Sequence, residues 1–110
     1  MTLHLGYIWE KLMVSVSALA EGDGELKHRL ANAYVSALIR LEDGPSVLLE
    51  LPEHLAGELR DVLRRLKVSY RAGLTGRDPI GDFTFDNEEA REIVGKILSC
   101  YDSVCRRMEP

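Results

Sequence analysis

Between Ala90 and Met108 the apolar residues fall at Ala90, Ile93, Val94, Ile97, Leu98, Tyr101, Val104, Cys105 and Met108. Steps of three and four, held for about five turns, describe an amphipathic α-helix with one face turned to a core. Asp86 stands where an N-cap belongs, and Glu88, Glu89 and Glu92 load the first turns with negative charge. Arg106 and Arg107 close the other end, so each charge suits the pole of the helix dipole beside it.

Three further stripes repeat that pattern. The first helix is expected from about Thr2 to Ala20, with Leu5, Ile8, Trp9, Leu12, Met13, Val16 and Leu19 on one face. Gly22 is suited to a left-handed C-cap after it. The second runs from about Gly24 or Glu25 to Leu41, with Leu26, Leu30, Ala33, Tyr34, Ala37, Leu38 and Leu41 on one broad face. Ala31, Val35 and Ile39 add a second apolar row, leaving Arg29, Asn32, Ser36 and Arg40 as a narrow polar strip. A helix this apolar needs cover on more than one side, either inside the bundle or at a subunit interface.

Glu42 to Pro45 is a strong stop, and residues 46–51 fit a strand or an irregular apolar lead-in equally well. Pro52 suits the first turn of a third helix, whose stripe is Leu55, Leu59, Val62, Leu63, Leu66 and Tyr70. Residues 71–85 break the periodicity with three glycines and a proline. Ile80, Phe83 and Phe85 are the candidate anchors of this long connector.

The expected fold is therefore all-α: a compact four-helix bundle with a long loop before the last helix, one helical domain over residues 1–110. A chain of this length buries enough surface to fold without staples. The expected core is Ile8, Trp9, Leu12, Val16, Leu30, Tyr34, Leu38, Leu59, Val62, Leu66, Ile93, Ile97, Tyr101 and Val104.

Charge and cysteine content narrow the function classes. A net charge of -4 favours solubility and gives no pull toward a duplex or an anionic membrane. Cys100 and Cys105, five apart on one helix, point about 140° away from each other. They read as reduced thiols, Cys105 in the core and Cys100 at its edge, in a reducing cytoplasm. Ala18-Leu19-Ala20 resembles a signal-peptidase site. However, Glu10 and Lys11 interrupt the apolar stretch and no basic residue precedes them, so a retained structural helix is expected. Stretches without charge are too short to span a bilayer, and no membrane association is expected.

No catalytic or metal-binding constellation emerges. His4, His28 and His54 have no second ligand residue at the spacing a helical metal pair needs, and Glu-x-x-His signatures are absent. Glu50 and Glu58 flank His54 at four residues on either side, as an ordinary solvated helix face would place them. There is no Gly-x-Ser-x-Gly, and Gly73 and Gly76 lack the surroundings of a phosphate loop. The sequence therefore implies no cofactor and no enzyme.

One asymmetry is left. Arg60, Arg64, Arg65, Lys67, Arg71 and Arg77 put six of the 14 basic residues into eighteen positions. Arg60, Arg64, Lys67 and Arg71 follow i, i+4, i+7, i+11, which makes one basic edge on a helix. Acidic segments lie on both sides of it, so a solvated face paired to Glu88, Glu89 and Glu92 of the next helix is the plainest explanation. Docking of an acidic protein partner is the functional one. The expectation is a small non-enzymatic cytoplasmic interaction module, able to form a homodimer through the second apolar row of helix two. Its partner-binding residues are Arg60, Arg64, Lys67, Arg71 and Arg77. The alternative is a nucleic-acid-binding accessory protein that uses the same edge, against which the acidity of the whole chain weighs.

Overall fold

A computed structural model describes residues 2–22, 24–42, 51–71 and 81–108. Among them are four α-helices: α1 (Thr2–Glu21), α2 (Leu26–Ser36), α3 (Glu53–Ser69) and α4 (Asn87–Met108). A 3-10 segment, Leu38–Glu42, follows α2. Two short strands, β1 (Tyr70–Arg71) and β2 (Asp82–Phe83), lie between α3 and α4. The fold is an all-α bundle, as the stripes require. α1 packs on α2 and α4, and α3 packs on α4 and on the 3-10 segment.

One contiguous core draws on every element, with Ile8, Leu12, Leu30, Leu38, Leu59, Val62, Leu66, Ile93, Ile97 and Val104 fully buried within it. Trp9, Val16 and Tyr101, also expected inside, pack against the core while keeping part of their surface in water. The apolar stretch near Ala18 belongs to α1, which buries Leu12 and Leu19. Ser15 is buried beside them and satisfies its hydroxyl by donating to the Lys11 carbonyl at 2.7 Å.

Three local outcomes differ from the sequence reading. Gly22 is not left-handed; the positive φ falls on Gly24 instead (90°). Gly22 is required for closeness, because a Cβ there would sit 2.6 Å from the Ala18 carbonyl oxygen and 2.9 Å from Cγ of Arg29. Arg29 itself caps α1, donating from Nη1 to the Leu19 carbonyl at 2.7 Å.

The second outcome concerns α2, which stops at Ser36 rather than reaching Leu41. Its C-cap, Ala37, leaves helical geometry at φ -143°, ψ -53°, and the chain continues as the 3-10 segment. Leu38 and Leu41, three apart, share one face of that tighter turn and are both buried. Part of the second apolar row faces outward, Val35 within α2 before the change and Ile39 after it. Ala31 is buried, whereas Val35 and Ile39 stay 41% and 38% exposed.

In α4 the buried seam is Ala90, Ile93, Ile97, Cys100 and Val104, so Cys100 lies in the core and Cys105 at its edge. That reverses the expectation for the two thiols. Both are free.

The connector is tied down at both ends. β1 and β2 pair antiparallel, Tyr70 opposite Phe83 and Arg71 opposite Asp82, and the Thr84 amide donates to the Ser69 carbonyl at 2.9 Å. Phe83 and Phe85 stack at 4.6 Å between centroids, and Tyr34 and Tyr70 pack edge-on around Phe83 at 6.0 and 5.6 Å. The two phenylalanines are thus the anchors the sequence suggested. Ile80 and residues 46–50 lie outside the described residues. Asp86 then caps α4, its Oδ1 accepting from the Glu89 amide at 2.9 Å.

Candidate functional site

Helix α3 carries the charge asymmetry. Its inward residues, Leu55, Ala56, Leu59, Val62, Leu63 and Leu66, are all buried. At about 100° per residue, Gly57, Arg60, Arg64, Lys67 and Val68 share an arc of about 100° on the opposite side. Arg60, Arg64 and Lys67 are exposed, and Val68, at the end of that arc opposite Lys67, is 75% exposed.

The expected edge is brought together in part. Arg60, Arg64 and Lys67 lie on the outer face of α3. Arg71 does not continue the helix: α3 ends at Ser69, and Arg71 sits exposed in β1 opposite Asp82. Arg77 lies outside the described residues. Among the described residues Arg60, Lys67 and Arg71 make no ion pair. Arg64 pairs with Asp61 of its own helix at 2.8 Å and keeps 68% of its side chain exposed.

Pairing with the acidic start of α4 is made by a residue off this edge. Arg65, with 18% of its side chain exposed, reaches Oε2 of Glu89 and Oε2 of Glu92 at 3.2 Å each. Its other Nη lies 3.6 Å from Asp61, which also takes Lys96 of α4 at 3.6 Å. The hydrogen bond from Arg64 holds the Asp61 carboxyl below its ordinary value. Partial burial opposes that, and Lys96 adds to it. Hydrogen bonds to Glu92 and Glu89 in turn hold Arg65 more firmly protonated, against partial burial. The cluster clamps α3 to α4 and takes in Arg64 through Asp61, while among the described residues it leaves Arg60 and Lys67 without an ion pair.

Sequence reasoning counted Arg65 in the basic segment without giving it a role, and passed over Lys96, Gly57 and Val68. Arg65 was detectable in principle, since it lies between the core arc and the basic edge, within reach of a neighbouring helix. Which neighbour supplies the carboxylates is a matter of packing.

The described histidines lie on different helices. His54 is exposed at the start of α3, while His28 sits half-buried on α2. Among the described residues no three of His, Cys, Asp and Glu lie where they could hold a metal ion. Burial raises the Cys100 thiol to about 11, and the charge of Glu58 adds to the shift. A thiol in that state is a packing residue and a poor nucleophile. No described helix is long and apolar enough to cross a membrane. No family model, curated protein or solved structure matches the chain.

Proposed function

We propose that this chain is a non-enzymatic cytoplasmic interaction module that docks a protein partner on the outer face of α3. Arg60, Arg64 and Lys67 form the centre of the contact, with Arg71 extending it in β1; Arg77 of the expected set lies outside the described residues. The observation that carries this reading is the set of cations left without a carboxylate. The α3–α4 clamp uses Arg65, while Arg60 and Lys67 project into solvent unpaired among the described residues. Arginine at such a face offers both a planar fork and an aliphatic stem to a partner. A reducing compartment suits two free cysteines on one helix.

Nucleic acid is the weaker use of the same face. Phe83, Phe85 and Tyr34 are buried against one another and so do not form a stacking platform beside the arginines. Self-association is a second component, favoured by two partly exposed apolar residues, Val35 near the end of α2 and Ile39 in the 3-10 segment. The test is charge reversal at Arg64 and Lys67 together, read by partner capture and by light scattering at low and high salt. Lost capture with an unchanged circular dichroism spectrum is expected. Capture equal to that of the unmodified protein would place the partner elsewhere. A dimer that persists in high salt would assign the Val35–Ile39 row to a subunit interface.

A further inference from the structure

We infer that the occupant of this face is an acidic amphipathic helix, about three turns long, lying along α3 and closest to it at Gly57. The inference rests on the docking reading above and narrows it to one kind of partner.

Two residues on the outer face break the rules of an exposed helix surface. Gly57 is mid-helix, where glycine is the poorest choice after proline, yet a Cβ there would meet no atom within 4 Å. Nothing in the described chain demands its small size. Val68 is a β-branched apolar residue with 75% of its surface in water, on the side of α3 away from the core. Local rules tend to be broken where function asks for something else.

The two lie eleven residues apart, which is about 16 Å along a helix. Arg60, Arg64 and Lys67 fall between them on the same arc. A rod laid along α3 can approach the backbone at Gly57, cover Val68 with an apolar side chain, and set carboxylates against the three cations. An amphipathic helix with Glu or Asp beside its apolar stripe supplies all three features at a matching rise per residue.

The test uses the full isotope-labelled chain in a nuclear magnetic resonance titration. The probe is a synthetic helical peptide with a leucine stripe flanked by glutamates. Two controls accompany it: a scramble of equal composition that breaks the stripe, and an oligothymidylate. Gly57→Gln and Val68→Ser are compared with the unmodified protein; both sites are open, so the fold is retained. The expected result is shifts at the Gly57, Arg60, Arg64 and Val68 amides. Each substitution should weaken binding at least tenfold, and so should scrambling. Equal binding of peptide and scramble, unmoved by Gly57→Gln but lost on reversal of Arg64 and Lys67, would overturn the helix while leaving the basic face as a docking surface. Binding indifferent to that reversal, or absent altogether, would overturn both readings. Binding of the oligothymidylate alone would assign the face to nucleic acid. Salt-sensitive self-association abolished by the same reversal would assign it to a second copy of the chain.

Discussion

The same substitution, glycine to alanine, should have opposite signs at different positions of this chain. At Gly57 in α3 and Gly95 in α4 the added methyl group meets no atom within 4 Å. The only term left is the conformational entropy that glycine loses in a helix interior, worth about 0.8 to 1.0 kcal/mol relative to alanine. Unfolding entropy for a chain of this size converts about 1 kcal/mol into roughly 4 °C of melting temperature. Gly57→Ala and Gly95→Ala should therefore each raise the midpoint by about 4 °C. With no shared partner, their effects should add.

Gly81 should behave in the reverse way. Its φ is +95°, where a side chain is strained by roughly 1 to 3 kcal/mol. A Cβ there would also collide with the Arg71 carbonyl oxygen and lie 2.7 Å from Oη of Tyr70. The carbonyl belongs to the strand leading into the connector and cannot retreat without disturbing the β1–β2 ladder. Gly81→Ala should cost about 3 kcal/mol in all, or roughly 12 °C. Thermal denaturation followed by circular dichroism and by Trp9 fluorescence would measure all three, and coincident curves would establish two-state behaviour. A destabilised Gly57→Ala would refute the reasoning at its root. The space over Gly57 would then be filled within the chain itself, and would not be open to a partner.

Ile97 is fully buried at the centre of the α4 seam. Ile97→Asp should cost about 5 kcal/mol or more through lost packing and an unpaired buried carboxylate, much of a domain's usual margin. A soluble, fully helical variant would mean the packing of α4 is wrong. Alkylation should modify Cys105 in the native protein and both cysteines only in denaturant, since Cys100 is buried with its thiol raised to about 11. Two rapid equivalents from the native protein would contradict that burial. Arg65→Met should cost about 1 to 2 kcal/mol, between an exposed pair and a buried one. Because the folded state lowers the Asp61 carboxyl, its contribution is complete above the ordinary value of 3.8 and is lost as pH falls through the lowered one. The melting-temperature gap between the unmodified protein and Asp61→Asn should accordingly close below pH 3.8, and a gap constant down to strong acid would remove Asp61 from the clamp.

The parts of this fold that were legible in sequence are those fixed by periodicity and capping. α1, α3 and α4 lie within a residue or two of their expected spans, and Asp86 caps α4 as read. The rest depended on choices that periodicity does not encode. Leu38 and Leu41 suit one face of either an α-helix or a 3-10 turn, and no proline or glycine marks the change at Ala37. In α4 the apolar stripe is wider than the seam the bundle can bury. Two adjacent rows, one through Ile97 and Cys100 and one through Leu98, Tyr101 and Cys105, compete for the core, and packing against α1 and α3 settles it for the first.

The site divides along the same line. Linear spacing finds Arg60, Arg64 and Lys67 because all three occupy one helix face. It overextends to Arg71 because it cannot see that α3 ends at Ser69. Arg65 shows what decides the difference. One position beyond Arg64 turns the guanidinium by about 100°, from an exposed pair with Asp61 of its own helix to two glutamates of α4. The clamp and the free face are therefore two outcomes of one basic segment, separated by a single residue of helical phase. What makes the outer face a candidate is that Arg65 takes the two glutamates of α4, while Arg60 and Lys67 make no ion pair among the described residues.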